Sequence, residues 1–150
     1  MIALPPVDPA DFIMKAGDAM KKCINKYFSE ISLEEAARSE TLDPKYAPEL
    51  LEKLQLEYYK ELENIWATIP TYYHSSFNGT YKMPALQEAG DPEALKKAYQ
   101  AAVKRSFWEK IGSSNYKDVL AYKSLLKQYA ENLLVAMHGN FVDAVANIRY

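Results

Sequence analysis

The chain has 150 residues, 49% hydrophobic and 25% charged, with a formal net charge of −2. That length buries a core without disulfides or metal, and the composition excludes a disordered chain. The single cysteine, Cys23, excludes an internal disulfide, and five glycines are few for an all-β fold with its many turns.

Asp8-Pro9 opens the first helix: the aspartate can take a backbone N–H, and proline at the first helical position forfeits none. Phe12, Ala16, Met20, Cys23, Tyr27 and Ile31 recur at helical spacing and set a helix over 9–31. Cys23 falls on that apolar stripe, which marks it as core rather than nucleophile. Gly17 weakens the helix by about 1 kcal/mol relative to alanine and admits a close neighbour. Ser32 and Glu35 form a capping box for a short helix near 33–40.

A second long helix is expected over 46–69, with Leu51, Leu54, Tyr58, Leu62 and Ile65 inward and Glu49–Lys53 as a favourable ion pair one turn apart. Leu56, Tyr59 and Trp66 widen its apolar surface beyond one stripe, which suits a central helix or one with a partner site. Pro70 stops it.

The stretch from Pro70 to Pro84 then ceases to read as helix. Asn78-Gly79 is the preferred pair for a tight hairpin turn, so a small β-hairpin is expected near 75–82, leaning on the helices through its aromatic rings. Long connections often carry function. The candidate binding residues are therefore Trp66, Tyr72, Tyr73, His74, Phe77 and Tyr81.

Gly90-Asp-Pro92 repeats the Asp-Pro device and opens a helix over 92–111. Gly112 ends it, and another helix follows over 115–138 until Gly139. A short helix over 141–149 ends with no stop signal, as in a chain that continues or a last helix that frays. The expected fold is all-α, a single domain over 1–150. Its four main helices form an irregular antiparallel bundle, with the short helices and the hairpin insertion as additions.

Charge is uneven along the chain. Residues 30–64 hold ten acids and four bases, a net of −6, whereas 91–131 hold eight bases, Lys123 and Lys127 among them, and five acids, a net of +3. So small a basic excess does not suit nucleic acid. No apolar run is long enough to span a bilayer and the start lacks a secretory signal, so a cytoplasmic location is the default.

Catalytic constellations are missing from the sequence. Neither His74 nor His138 follows a glutamate at the spacing of a di-iron bundle, and nucleotide-binding glycine loops and a nucleophile elbow are absent. No metal and no cofactor are expected. A haem held by His138 with Met14 or Met20 yields to the plainer reading of His138 as a histidine near a helix C-terminus, favoured there by the dipole. Surplus tyrosine and tryptophan with segregated charge point instead to a non-enzymatic protein–protein interaction module, an adaptor, regulator or inhibitor, whose partner is another protein or a second copy. The alternatives are a helical carrier or sensor for a small apolar or aromatic ligand, and a small enzyme using His74.

Overall fold

The computed structural model describes residues 9–29, 42–69, 76–103 and 116–146. Among these residues the chain is mostly helical and has no strand: α1 Pro9–Phe28, α2 Leu50–Ala67, a single turn α3 Phe77–Thr80, α4 Pro92–Val103 and α5 Tyr116–Ala146, with 3-10 turns at Pro44–Tyr46 and Leu86–Ala89. The all-α expectation is met. The short helix expected near 33–40 and the chain beyond 146 lie outside the described residues. No helix among the described residues is long and apolar enough to cross a membrane.

Two Asp-Pro pairs lie wholly within the described residues, and each sits at a helix start. The Asp91 side chain accepts the Glu93 N–H at 3.0 Å where α4 begins at Pro92, and Asp43 takes the Lys45 N–H at 3.0 Å, turning Pro44–Tyr46 into a 3-10 turn before α2.

Two expected boundaries are corrected. Gly139 does not stop a helix; α5 runs through it to Ala146, merging the two segments placed at 115–138 and 141–149. A glycine inside a helix costs about 1 kcal/mol, less than the 1.5–3 kcal/mol or so gained by burying a side chain such as Phe141. Phe141, Ala144 and Val145 all continue the buried stripe of Leu133, Leu134 and Met137.

The hairpin near 75–82 is likewise replaced, since Phe77–Thr80 is a helical turn in which the Tyr81 N–H donates to the Phe77 carbonyl at 2.8 Å. Gly79 does not take the positive φ that a hairpin turn would demand. Helical spacing instead stacks Phe77 on Tyr81, with ring centroids 4.9 Å apart and planes inclined by 17°. Two short strands could not stabilise themselves, and the stacked turn buries both rings.

The long helix α5 is the centre of the molecule: α1, α2, α4 and the 86–89 turn all pack on it, while α1 also packs on α2. Contacts at both ends of α2 and α5 match in order, Tyr46 with Tyr122 and Trp66 with Phe141. In α4 and α5 the order is reversed, Asp91 meeting Tyr129 and Tyr99 meeting Tyr122.

Tyrosine explains how these helices are held together. Among the described residues five hydroxyls donate to main-chain carbonyls of other elements: Tyr46 to Tyr27 at 2.8 Å, Tyr58 to Ala16 at 2.9 Å, Tyr81 to Met137 at 3.1 Å, Tyr122 to Tyr46 at 2.5 Å and Tyr129 to Asp91 at 2.9 Å. Each ring fills core volume, and each hydroxyl finds an acceptor that would otherwise need water. Burial pushes the hydroxyls of Tyr58, Tyr81 and Tyr122 well above the ordinary tyrosine range.

Several expectations about polar groups are settled by the same packing. Cys23 is buried, and burial, then Glu57 and Glu61, raises its thiol, as suits a core residue. Lys123 does not join a solvated basic face. It is 1% exposed, with Nζ 4.5 Å from the centre of the Tyr46 ring, and burial lowers its ammonium pKa although Asp43 opposes the shift. Glu49 and Lys53 do not pair; Lys53 turns its ammonium to the Tyr27 ring, 5.6 Å from the centroid. The close neighbour of Gly17 is His138, whose Nε2 lies 3.3 Å from the Ile13 carbonyl.

Candidate functional site

The central connection is fastened to the helices by rings and by amides. The Phe77 ring stands 5.2 Å from Tyr59, 5.4 Å from Trp66 and 6.4 Å from Phe141, and Tyr81 meets Tyr59 edge-on at 5.9 Å. Such offset and tilted pairs are the favoured geometries for aromatic quadrupoles. Beyond the rings, Asn140 Nδ2 donates to the Lys82 carbonyl at 2.7 Å and Gln55 Nε2 to the Pro84 carbonyl at 3.0 Å. The Tyr59 hydroxyl donates to the Asn78 side-chain oxygen. Burial, then Glu63, raises the Tyr59 hydroxyl pKa.

The structure thus brings three of the six sequence candidates together, Trp66, Phe77 and Tyr81, and buries all three. As placed, they build the platform under the connection. Tyr72, Tyr73 and His74 lie outside the described residues. Tyr59 and Phe141 belong to the cluster and were missing from the candidate set. The i,i+4 step from Met137 to Phe141 held a signal for the second, hidden by reading Gly139 as a stop.

Beside the Gln55–Pro84 hydrogen bond that ties α2 to the connection, apolar side chains of both reach the surface. Leu56 is 57% exposed, Met83 is 39% exposed and Tyr59 is half-buried. Leu56 follows Gln55, which holds Pro84, and Met83 precedes that proline. Glu52 and Glu63 flank Leu56 on the same outer face of α2, four residues before and seven after it, and neither enters an ion pair among the described residues.

Among the described residues are two hollows open to solvent. A polar cleft of about 380 Å3 lies between Thr80, Lys82 and the residues Asn140, Asp143, Ala144 and Ala146 of α5. A smaller apolar groove of about 190 Å3 lies between the starts of α2 and α4. Among the described residues no group of three or more His, Cys, Asp or Glu side chains is placed to hold a metal ion. In comparisons with known proteins, the chain matches no family model, no curated relative and no solved structure.

Proposed function

We propose that the chain is a single-domain, non-enzymatic protein–protein interaction module of the cytoplasm, an irregular bundle that meets another protein, or a second copy, along the clamp between α2 and the central connection. The observation that carries this reading is the apolar edge of Leu56, Tyr59 and Met83, bordered by the carboxylates of Glu52 and Glu63. Apolar side chains inside a charged border are the usual composition of a protein interface, with its dry centre and polar rim. The buried Trp66–Phe77–Tyr81 cluster supports the edge from beneath, so the surface is rigid before a partner arrives and loses little freedom on binding. Tyr72, Tyr73 and His74, which lie between Tyr59 and Met83 in sequence, belong to the same proposal.

A carrier of small apolar ligands draws less support. Of the two hollows described, the apolar one, at about 190 Å3, falls below the roughly 300–1,000 Å3 of ordinary small-molecule sites, and the one of about 380 Å3 is no more apolar than polar.

The experiment is native mass spectrometry of the protein gently purified from its source, as wild type and as Leu56→Asp. Leu56 is exposed, so the variant should melt within about 0.5 kcal/mol of wild type. A stoichiometric protein partner, or a second copy, that the variant loses is the expected result. A bare monomer in both, or a bound small molecule in both, overturns the reading.

A further inference from the structure

The apolar groove between α2 and α4 has a built character that the surface edge lacks. Leu51 and Leu95, both buried, form its floor, and the half-buried Leu86 forms a wall. Tyr129 closes one end, its ring against Gly90 and its hydroxyl on the Asp91 carbonyl at 2.9 Å. Pro48 and Pro92 stiffen the two helix starts.

Charge decides what kind of ligand the groove favours. Helix starts often cradle anions with free N–H groups. Here the Leu50, Leu51 and Lys53 N–H groups donate to the Ala47, Pro48 and Glu49 carbonyls, and the Glu93 and Leu95 N–H groups donate to Asp91. What the rim presents instead is two exposed carboxylates, Glu49 and Glu52, neither in an ion pair among the described residues. Lys53, the nearest cation in sequence, is turned to the Tyr27 ring.

Size and continuity narrow the occupant further. A cavity of about 150 Å3 takes a benzene molecule, so a groove of about 190 Å3 takes one side chain of leucine or phenylalanine size. Glu52 also lies on the outer face of α2 that carries Leu56, so a chain leaving the groove would run onto the interaction edge.

We propose that the groove between the first turns of α2 and α4 docks a short segment of a partner protein, placing one leucine-sized side chain on Leu51, Leu86 and Leu95 and an adjacent lysine or arginine on Glu49 and Glu52. The proposal deepens the interaction reading and rests on it.

The test is an amide-shift titration of the full chain by NMR with the capped hexapeptide acetyl-Ser-Gly-Leu-Lys-Gly-Ser-amide. Shifts confined to the neighbourhood of Leu51, Glu52, Gly90 and Leu95 are expected. They should vanish when the peptide leucine becomes glycine, and the affinity should fall about threefold with Glu52→Gln, as for one exposed ion pair. A doubly reversed chain, Glu49→Lys with Glu52→Lys, should prefer the peptide with glutamate in place of lysine. Shifts spread over the whole acidic surface, indifference to the leucine, equal shifts with putrescine alone, or no shifts at the peptide's solubility limit would each overturn the groove assignment. If the groove stays silent while Leu56→Asp still loses a partner, only the groove assignment falls. If neither responds, the interaction reading falls with it.

Discussion

At the N-terminal half of α5, Tyr122 and Tyr129 reach the carbonyls of Tyr46 and Asp91 with their hydroxyls, whereas at the C-terminal half Phe141 lies among the rings of Trp66 and Phe77. The first kind of contact fixes direction, because a hydroxyl satisfies one carbonyl at one place. The second fixes volume, because a ring without a polar tip answers only to the space it fills. One helix therefore has two modes of failure: loss of a ring opens a cavity, and loss of a hydroxyl orphans a carbonyl.

The sharpest way to break this comparison is Phe141→Ala. Phe141 is fully buried, so urea unfolding should report a loss of about 3–5 kcal/mol, with no change in how stability depends on pH. A loss below about 1 kcal/mol would mean that the C-terminal half of α5 does not carry the packing described for it.

Tyr122→Phe probes the other half and should cost less, about 1–2 kcal/mol, by leaving the Tyr46 carbonyl without its donor. It should also change the response to alkali. Tyr58, Tyr81 and Tyr122 stay protonated in the folded chain well past the ordinary tyrosine pKa of 10.0, while the same groups in the unfolded chain ionise there. The folded state then holds more protons, so the stability these groups contribute is fully present below pH 10 or so and falls as pH rises, by roughly 1.4 kcal/mol per pH unit for each tyrosine. Urea midpoints between neutral pH and pH 11 should show a shallower decline for Tyr122→Phe than for wild type. An unchanged slope would mean that this hydroxyl is not buried.

Within the C-terminal half, Gly139→Ala should have the smallest effect and the opposite sign. Among the described residues nothing lies within 4 Å of the added methyl position, so the variant should be stabilised by up to about 1 kcal/mol through helix propensity. Destabilisation would show that the helix is not continuous there.

Much of the fold is legible in the sequence because its signals are local and agree with one another. Pro9 and Pro92 each open a helix at their own position, and the stripes over α1 and α2 match the buried residues from Ala16 to Tyr27 and from Leu51 to Leu62. Local signals misled where tertiary packing opposed them. Asn78-Gly79 prefers a hairpin turn in isolation, but a helical turn lets Phe77 and Tyr81 stack. Gly139 resembles a stop until Phe141 is seen to have a buried place waiting. Lys123 reads as surface charge because nothing in its neighbours announces that the Tyr46 ring will cover it.

The candidate site was legible in part for the same reason. The aromatic content of the connection marked it, but sequence does not distinguish a ring that builds a surface from one that forms it. Trp66, Phe77 and Tyr81 proved to be the support. The groove had no local signature, since its floor and wall come from Leu51, Leu95 and Leu86, brought together only by the placing of α2, α4 and the 86–89 turn on α5.

The meeting of Gly90 with Tyr129 bears on ancestry as well as on stability. Gly90 has φ of 152°, and a methyl group there would sit 2.4 Å from the Tyr129 ring. Backbone angle and ring both forbid a side chain, so shrinking position 129 alone would not free position 90 to vary. A true relative of this chain should keep a glycine directly before Asp-Pro and an aromatic residue at the place of Tyr129, which follows Asp91 by 38 residues. That pair, more than any helical stripe, is the mark by which distant kin of this chain would be told from other helical proteins.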